Sequence, residues 1–204
     1  KRFVAVMADL GAAVVGLNPL HAMFLDAPEQ ASPYSPASRL FLNVLYIDVP
    51  AVPGFATDPA VRTLVEDAAF QADLAASRAA PLVDYGAVAR MKLPVLEALH
   101  LAFRREATRA DRDALASFCR EQGEPLERFC RFQALREHFA AEAPNRADWR
   151  SWPETFREAG SPEVERFAQK HQDRIDLFAW LQWTADRQLA EAAAEATTRG
   201  MEVG

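Results

Sequence analysis

Among the residues able to do chemistry, the histidines and cysteines form no set. His21, His100, His138 and His171 are scattered, and Cys119 and Cys130 lack zinc-ligand spacing. His100, His138 and His171 fall on helical patterns and read as packing or surface residues. The cysteines read as buried, reduced thiols rather than a disulfide framework. Tyr34 is different. Pro33 and Pro36 stiffen its loop, and a fixed tyrosine presents a flat apolar face with a polar tip. Taken alone, such a ring reads first as packing within its own loop. Trp149, Trp152, Trp180 and Trp183 resemble an aromatic platform when viewed in isolation, but helical spacing makes Trp180 and Trp183 core residues.

These side chains sit in a chain of 204 residues, 50% hydrophobic and 25% charged, enough for one sizeable core or two small ones. The net charge is -6, and the short arginine clusters, such as Arg104–Arg105, lie near acids. That balance argues against a nucleic-acid partner, which needs a basic stripe, and suits a neutral substrate. No apolar run approaches membrane-spanning length, and the N-terminus has no apolar signal-peptide core. The expectation is a cytoplasmic protein without a membrane partner, a metal or an organic cofactor. The chain lacks a starting Met and ends on Gly200–Gly204, which reads as the opening of a strand. Both ends therefore read as cut.

The positioning elements follow from periodicity. Phe3, Val6, Met7 and Leu10 have helical spacing, Gly11 stops that helix, and Ala12–Leu17 is an apolar strand ending at Asn18-Pro19. A helix, a glycine and a fully apolar strand mark an α/β unit with a buried parallel strand. Residues 20–59 are rich in Pro, Ser and Asn, with a short extended segment at 43–50. Helix signals then dominate. Asp58-Pro59 is an N-cap with Pro at the first helical position. Leu82–Gly86 interrupts, and a helix over 88–105 carries Pro94 as a kink. Thr108 and Asp111 resemble a capping box opening a helix that stops at Gly123; Pro125 opens the next. After an irregular stretch over 144–160, Ser161-Pro162-Glu163 starts one long helix reaching Thr197, and Gly200 closes it. The organisation expected is a barrel helix and strand at 1–18, a substrate-side loop region at 19–58, a helical insertion at 59–160, and a long barrel helix with the start of a strand at 161–204. This is one βαβ crossover of a parallel sheet enlarged by helices.

Five ordered motifs carry a family resemblance: Gly16-Leu17-Asn18-Pro19-Leu20-His21-Ala22, Ala31-Ser32-Pro33-Tyr34-Ser35-Pro36, Leu42–Val49, Leu82-Val83-Asp84-Tyr85-Gly86, and Gln182-Trp183 with Arg187-Gln188. In these residues the chain resembles amylomaltases, the 4-α-glucanotransferases of glycoside hydrolase family 77 in the α-amylase superfamily. The resemblance implies an α/β fold, a partial (β/α)8 barrel of about two parallel strands with a large, mostly α-helical insertion. It implies transfer of α-1,4-glucan segments to glucose or maltooligosaccharide acceptors by a retaining double displacement, with the rest of the polypeptide as partner. It places Tyr34 against the glucan with Ser32 as neighbour, and Tyr85 near an outer glucan-binding region. Asn18 and His21 lie just past a strand end, where barrel enzymes build their sites. Asn18 reads first as a cap of that end, and His21 reads equally as a structural hydrogen-bonder. Asp84 reads as a helix cap, and Asp48 as organising its turn.

The resemblance implies that the catalytic carboxylates lie beyond these residues, on later barrel strands; retaining chemistry needs the pair about 5–5.5 Å apart. Arg174-Ile175-Asp176-Leu177 lacks the family's histidine and sits in a helix, which argues against Asp176 as nucleophile. The competing reading is a non-catalytic module whose helices from Val61 onward bind a protein partner.

Overall fold

The computed structural model describes residues 2–143 and 146–203; positions 144 and 145 of the expected irregular stretch, and Gly204 of the expected terminal strand, lie outside them. Helix α1 (Arg2–Asp9) leads to strand β1 (Val14–Val15). A small ribbon follows, β2 (His21–Ala22) against β3 (Ser38–Leu42). Then come α2 (Pro59–Val65), α3 (Ala68–Ala79), α4 (Tyr85–Glu106), α5 (Arg109–Glu142), α6 (Pro162–Lys170), α7 (Gln172–Thr198) and β4 (Glu202–Val203).

The two ends of the chain repeat one local design. Gly11 adopts φ 80°, and the Ala12 amide donates back to the Met7 carbonyl at 3.0 Å. Gly200 adopts φ 71°, and the Met201 amide donates to the Ala196 carbonyl at 2.9 Å. Both are left-handed helix stops, a conformation that glycine adopts without a Cβ penalty. Each stop delivers a strand, and β1 and β4 lie side by side in parallel, with Val14 opposite Glu202 and Val15 opposite Val203. Val4, Val15, Ala196 and Met201 close a small core around this junction.

Everything else forms the connection between those strands. Its α-helices, α7 excepted, begin where side-chain oxygens satisfy the free amides of a first turn. Asp58 accepts from Ala60 and Val61, Asp67 from Ala69 and Phe70, Asp84 from Ala87, Thr108 from Asp111, and Ser161 from Val164. Asp58 is buried, and its second oxygen takes a bond from the Arg105 guanidinium at 2.6 Å. The main core joins Leu96 and Leu99 of α4, Leu126, Phe129 and Leu135 of α5, and Phe178, Trp180 and Leu181 of α7. Phe41 of β3 and, after it, Val44, Ile47, Val49 and Val52 drop into the same core, with Phe41 stacked on Phe129 at 4.5 Å.

Three local expectations are corrected. Residues 43–50 are not extended: they form 3-10 turns at Val44–Tyr46 and Val49–Ala51, because the Asn43 side chain accepts from the Leu45 amide and folds the chain over. The ribbon β2–β3 was not anticipated; its register is irregular between His21 and Ala22, and so short a β2 leaves no alternation to read. The single helix from Pro162 is two, broken at His171 (φ -116°, ψ 31°). No glycine or proline marks that break. The His171 ring stacks on Phe167 at 4.3 Å and also meets His138 of α5 at 5.6 Å, and periodicity alone does not register the second contact, which joins separate segments.

Other expectations hold. Gly123 (φ 58°, ψ -147°) divides α5 into two helical halves. Trp180 and Trp183 are core, as is Trp152, while Trp149 lies at the surface under Arg150. Both cysteines are free thiols; Cys130 is buried and Cys119 half-buried, and burial pushes both thiols up in pKa. Among the described residues no helix is long and apolar enough to cross a membrane.

Candidate functional site

The ribbon explains how the proline-rich loop is held. The Ala37 amide donates to the Ala22 carbonyl at 2.8 Å and the Asn43 amide to Leu20 at 2.9 Å, so residues 23–36 leave and return at one place. At the loop's tip the Ser35 amide donates to the Ser32 carbonyl at 3.0 Å, closing a turn with Pro33 at its second position and Tyr34 at its third. Tyr34 is 70% exposed. Its ring therefore does not pack in a dry interior; it stands free on a stiffened turn.

Of the remaining candidates, His21 and Tyr85 come together. With Pro19, Pro33, Asn43 and Tyr46 they line a narrow crevice of about 10 Å³. Tyr85 is the first residue of α4, directly after the Asp84 cap. Ser32 and Tyr34 flank Pro33 in sequence but do not line the crevice. Asn18 is exposed just past β1 and is not part of the crevice lining.

A larger cleft of about 390 Å³ lies beside it, lined by Leu20, Asn43, Tyr46, Asp48, Gln188 and Leu189 among others. Tyr46 faces both spaces. Partial burial, and then the neighbouring Tyr85, raise the Tyr46 hydroxyl pKa. Motif reading included Tyr46 but assigned it nothing.

The segment from Leu42 to Asp48 is fixed from outside. Gln182 of α7 pairs with the backbone of Leu42, accepting from its amide and donating to its carbonyl, both at 2.9 Å. Gln188, two turns on, does the same for Asp48 at 2.7 and 3.0 Å. Between them the Lys92 ammonium donates to the carbonyls of Leu45 at 2.7 Å and Ile47 at 2.8 Å. Burial lowers the Lys92 pKa, and Asp48 partly opposes that. Gln182 and Gln188, quoted above only as motif residues, thus act on backbone 140 positions away. The Asp48 side chain makes no capping bond; the turn is organised by Gln188 instead.

Asp176 is on an exposed helix face and accepts from Gln172 at 2.8 Å, while Arg174 pairs with Glu97 and Glu137. These are structural contacts. No group of three or more His, Cys, Asp or Glu residues is gathered for a metal among the described residues.

Comparison with known proteins gives a consistent result. The sequence profile of the 4-alpha-glucanotransferase family matches residues 1–204. A 4-alpha-glucanotransferase of Haemophilus influenzae is 34% identical over 205 residues, covering 97% of this chain and 29% of that protein. One from Mycobacterium bovis is 34% identical over 207 residues, covering 95% of this chain and 26% of that protein. The chain thus spans less than a third of the relatives it matches. The amylomaltase of Corynebacterium glutamicum superposes with a TM-score of 0.71 at 27% identity, over 98% of this chain and 25% of that one. The amylomaltase of Streptococcus agalactiae, solved in complex with acarbose, superposes at 0.77 with 21% identity over 99% of this chain and 37% of that one, a likeness of fold. On the match of its whole length, the chain belongs to the 4-alpha-glucanotransferase family.

Proposed function

We propose that the protein carrying these residues moves α-1,4-glucan segments onto glucose or maltooligosaccharide acceptors by a retaining double displacement. In this reading β1 and β4 are neighbouring strands of a (β/α)8 barrel, and residues 59–160 are a helical insertion between them. Residues 1–204 supply part of the glucan-binding wall: Tyr34 lies against the sugar, Ser32 beside it, His21 and Tyr85 in the adjoining crevice, and Asn18 at the strand end. The catalytic nucleophile and acid/base carboxyls lie on other strands of the intact protein, which works in the cytoplasm.

The observation that carries this reading is Tyr34 on its proline-stiffened turn in a chain matched over its full length by the family profile. A glucose ring has an apolar C–H face and a polar rim, which a tyrosine complements. The alternative, a helical protein-interaction module, loses its motive, because the apolar stripes of α4, α5 and α7 are already buried against one another. The test is disproportionation of maltotriose. The intact protein should release glucose, residues 1–204 alone should not, and Tyr34→Ala in the intact protein should raise KM about tenfold, equivalent to ~1.4 kcal/mol. An intact protein that leaves maltotriose unchanged would refute the proposal.

A further inference from the structure

The turn Val44–Tyr46 displays an uncommon investment. The backbone in and around it makes two hydrogen bonds with each of Lys92, Gln182 and Gln188. Val44, Leu45 and Ile47 are buried, yet Tyr46 between them is 56% exposed. A segment that needed only anchoring would be held by its buried residues. The ammonium of Lys92 is half-buried for the sake of the two carbonyls on either side of Tyr46, and burial of an ammonium is costly in itself. What those bonds fix is the direction in which the Tyr46 ring leaves the surface.

The same helix fixes a second ring. Tyr85 and Lys92 are seven residues apart on α4, two turns, and so lie on one face. Tyr85 lines the crevice that Tyr46 also lines, and Lys92 ties the Tyr46 turn to that face. Tyr46 also borders the cleft of about 390 Å³, a volume in the range of small-molecule sites. A half-exposed aromatic ring, held rigidly at the edge of a cleft and beside a second tyrosine, matches the flat apolar face and hydroxyl rim of a glucosyl unit.

We propose that Tyr46 is a glucan-contact residue of this site and that Lys92 is its positioning residue, locking the Val44–Tyr46 turn so that the ring bears on a bound sugar. The assignment rests on the transferase reading above.

The test uses the intact protein and initial rates over a range of maltotriose concentrations, with the Tm of each variant measured alongside. Tyr46→Leu, which keeps apolar bulk but not the flat ring, should raise KM about tenfold while kcat stays within about threefold. Lys92→Met should raise KM in the same direction, and Lys92→Arg should recover part of it. Because Lys92 acts through Tyr46, adding Lys92→Met to Tyr46→Leu should raise KM by less than about twofold further. If Tyr46→Leu does not fold, Tyr46→His, with a smaller and more polar ring, takes its place under the same criterion. A KM within twofold of the parent at unchanged Tm would overturn the role of Tyr46. Full multiplication of the two single effects in the double variant would overturn the role of Lys92. A parent protein without maltotriose disproportionation would bring down the transferase reading, and this assignment with it.

Discussion

His100 illustrates what burial does to one side chain. It is 5% exposed on the inner face of α4, its ring 5.4 Å from that of Trp180. Burial first, and the nearby Arg104 second, lower its pKa to about 4. The unfolded chain protonates it near 6.5, so between those values the unfolded state binds a proton that the folded state refuses. Stability is therefore intact above pH 6.5 and falls as the pH drops towards 4. From pH 7 to pH 5 the expected loss through this group is up to about 2 kcal/mol. Urea unfolding at both pH values should show it in the parent and a flatter response in His100→Gln; equal slopes would contradict the account. Legibility at this scale was uneven. Tyr34 stood out because both of its prolines are neighbours in sequence. Tyr46 did not, because Lys92, which orients its turn, is 47 and 45 positions from the carbonyls it holds.

At the scale of elements, the starts and stops of helices were readable wherever one residue type creates them. Asp58, Asp67, Asp84, Thr108 and Ser161 all accept amide bonds of the turns they open. Only Asp67 went unremarked in the sequence. Gly123 is the sharpest stop, since its backbone angles are ones that L side chains rarely adopt. A methyl group placed there would meet nothing within 4 Å, so Gly123→Ala isolates the backbone cost. We expect a loss of ~1–3 kcal/mol in chemical denaturation. Gly160→Ala, equally open in space but without the positive φ, should stay within about 0.5 kcal/mol of the parent. The break at His171 and the ribbon β2–β3 escaped notice for one shared reason. Both sit where separate segments meet, β2 against β3 and His171 against His138 of α5, and neither leaves a periodic or compositional trace.

At the scale of the molecule, the described residues form two cores of unequal size. The larger joins α4, α5 and α7 with residues from Phe41 to Val52; the smaller consists of Val4, Val15, Ala196 and Met201 with a few partly buried neighbours. Alpha-helix α7 runs through both. Few buried apolar contacts and a two-pair ladder imply local opening at low free energy. In native-state hydrogen exchange, amides in α1 and at Val15 should exchange well before those of Leu96, Leu99 and Leu181, and uniform protection would count against the division. The parallel partnership of the end segments was foreseeable from the paired helix–glycine–strand pattern. That β1 is only two residues long was not, because the apolar run over 12–17 promised more.

The ladder from Val14 to Glu202 carries one more implication. Adjacent strands lie ~4.8 Å apart, so the polypeptide sets out and comes home at almost the same spot. Viewed from the sheet, this whole lobe is interchangeable with the single helix of an ordinary crossover. Its girth can grow, shrink or be swapped for another without disturbing which strand sits next to which, so the lobe can diversify while the frame beneath keeps its wiring.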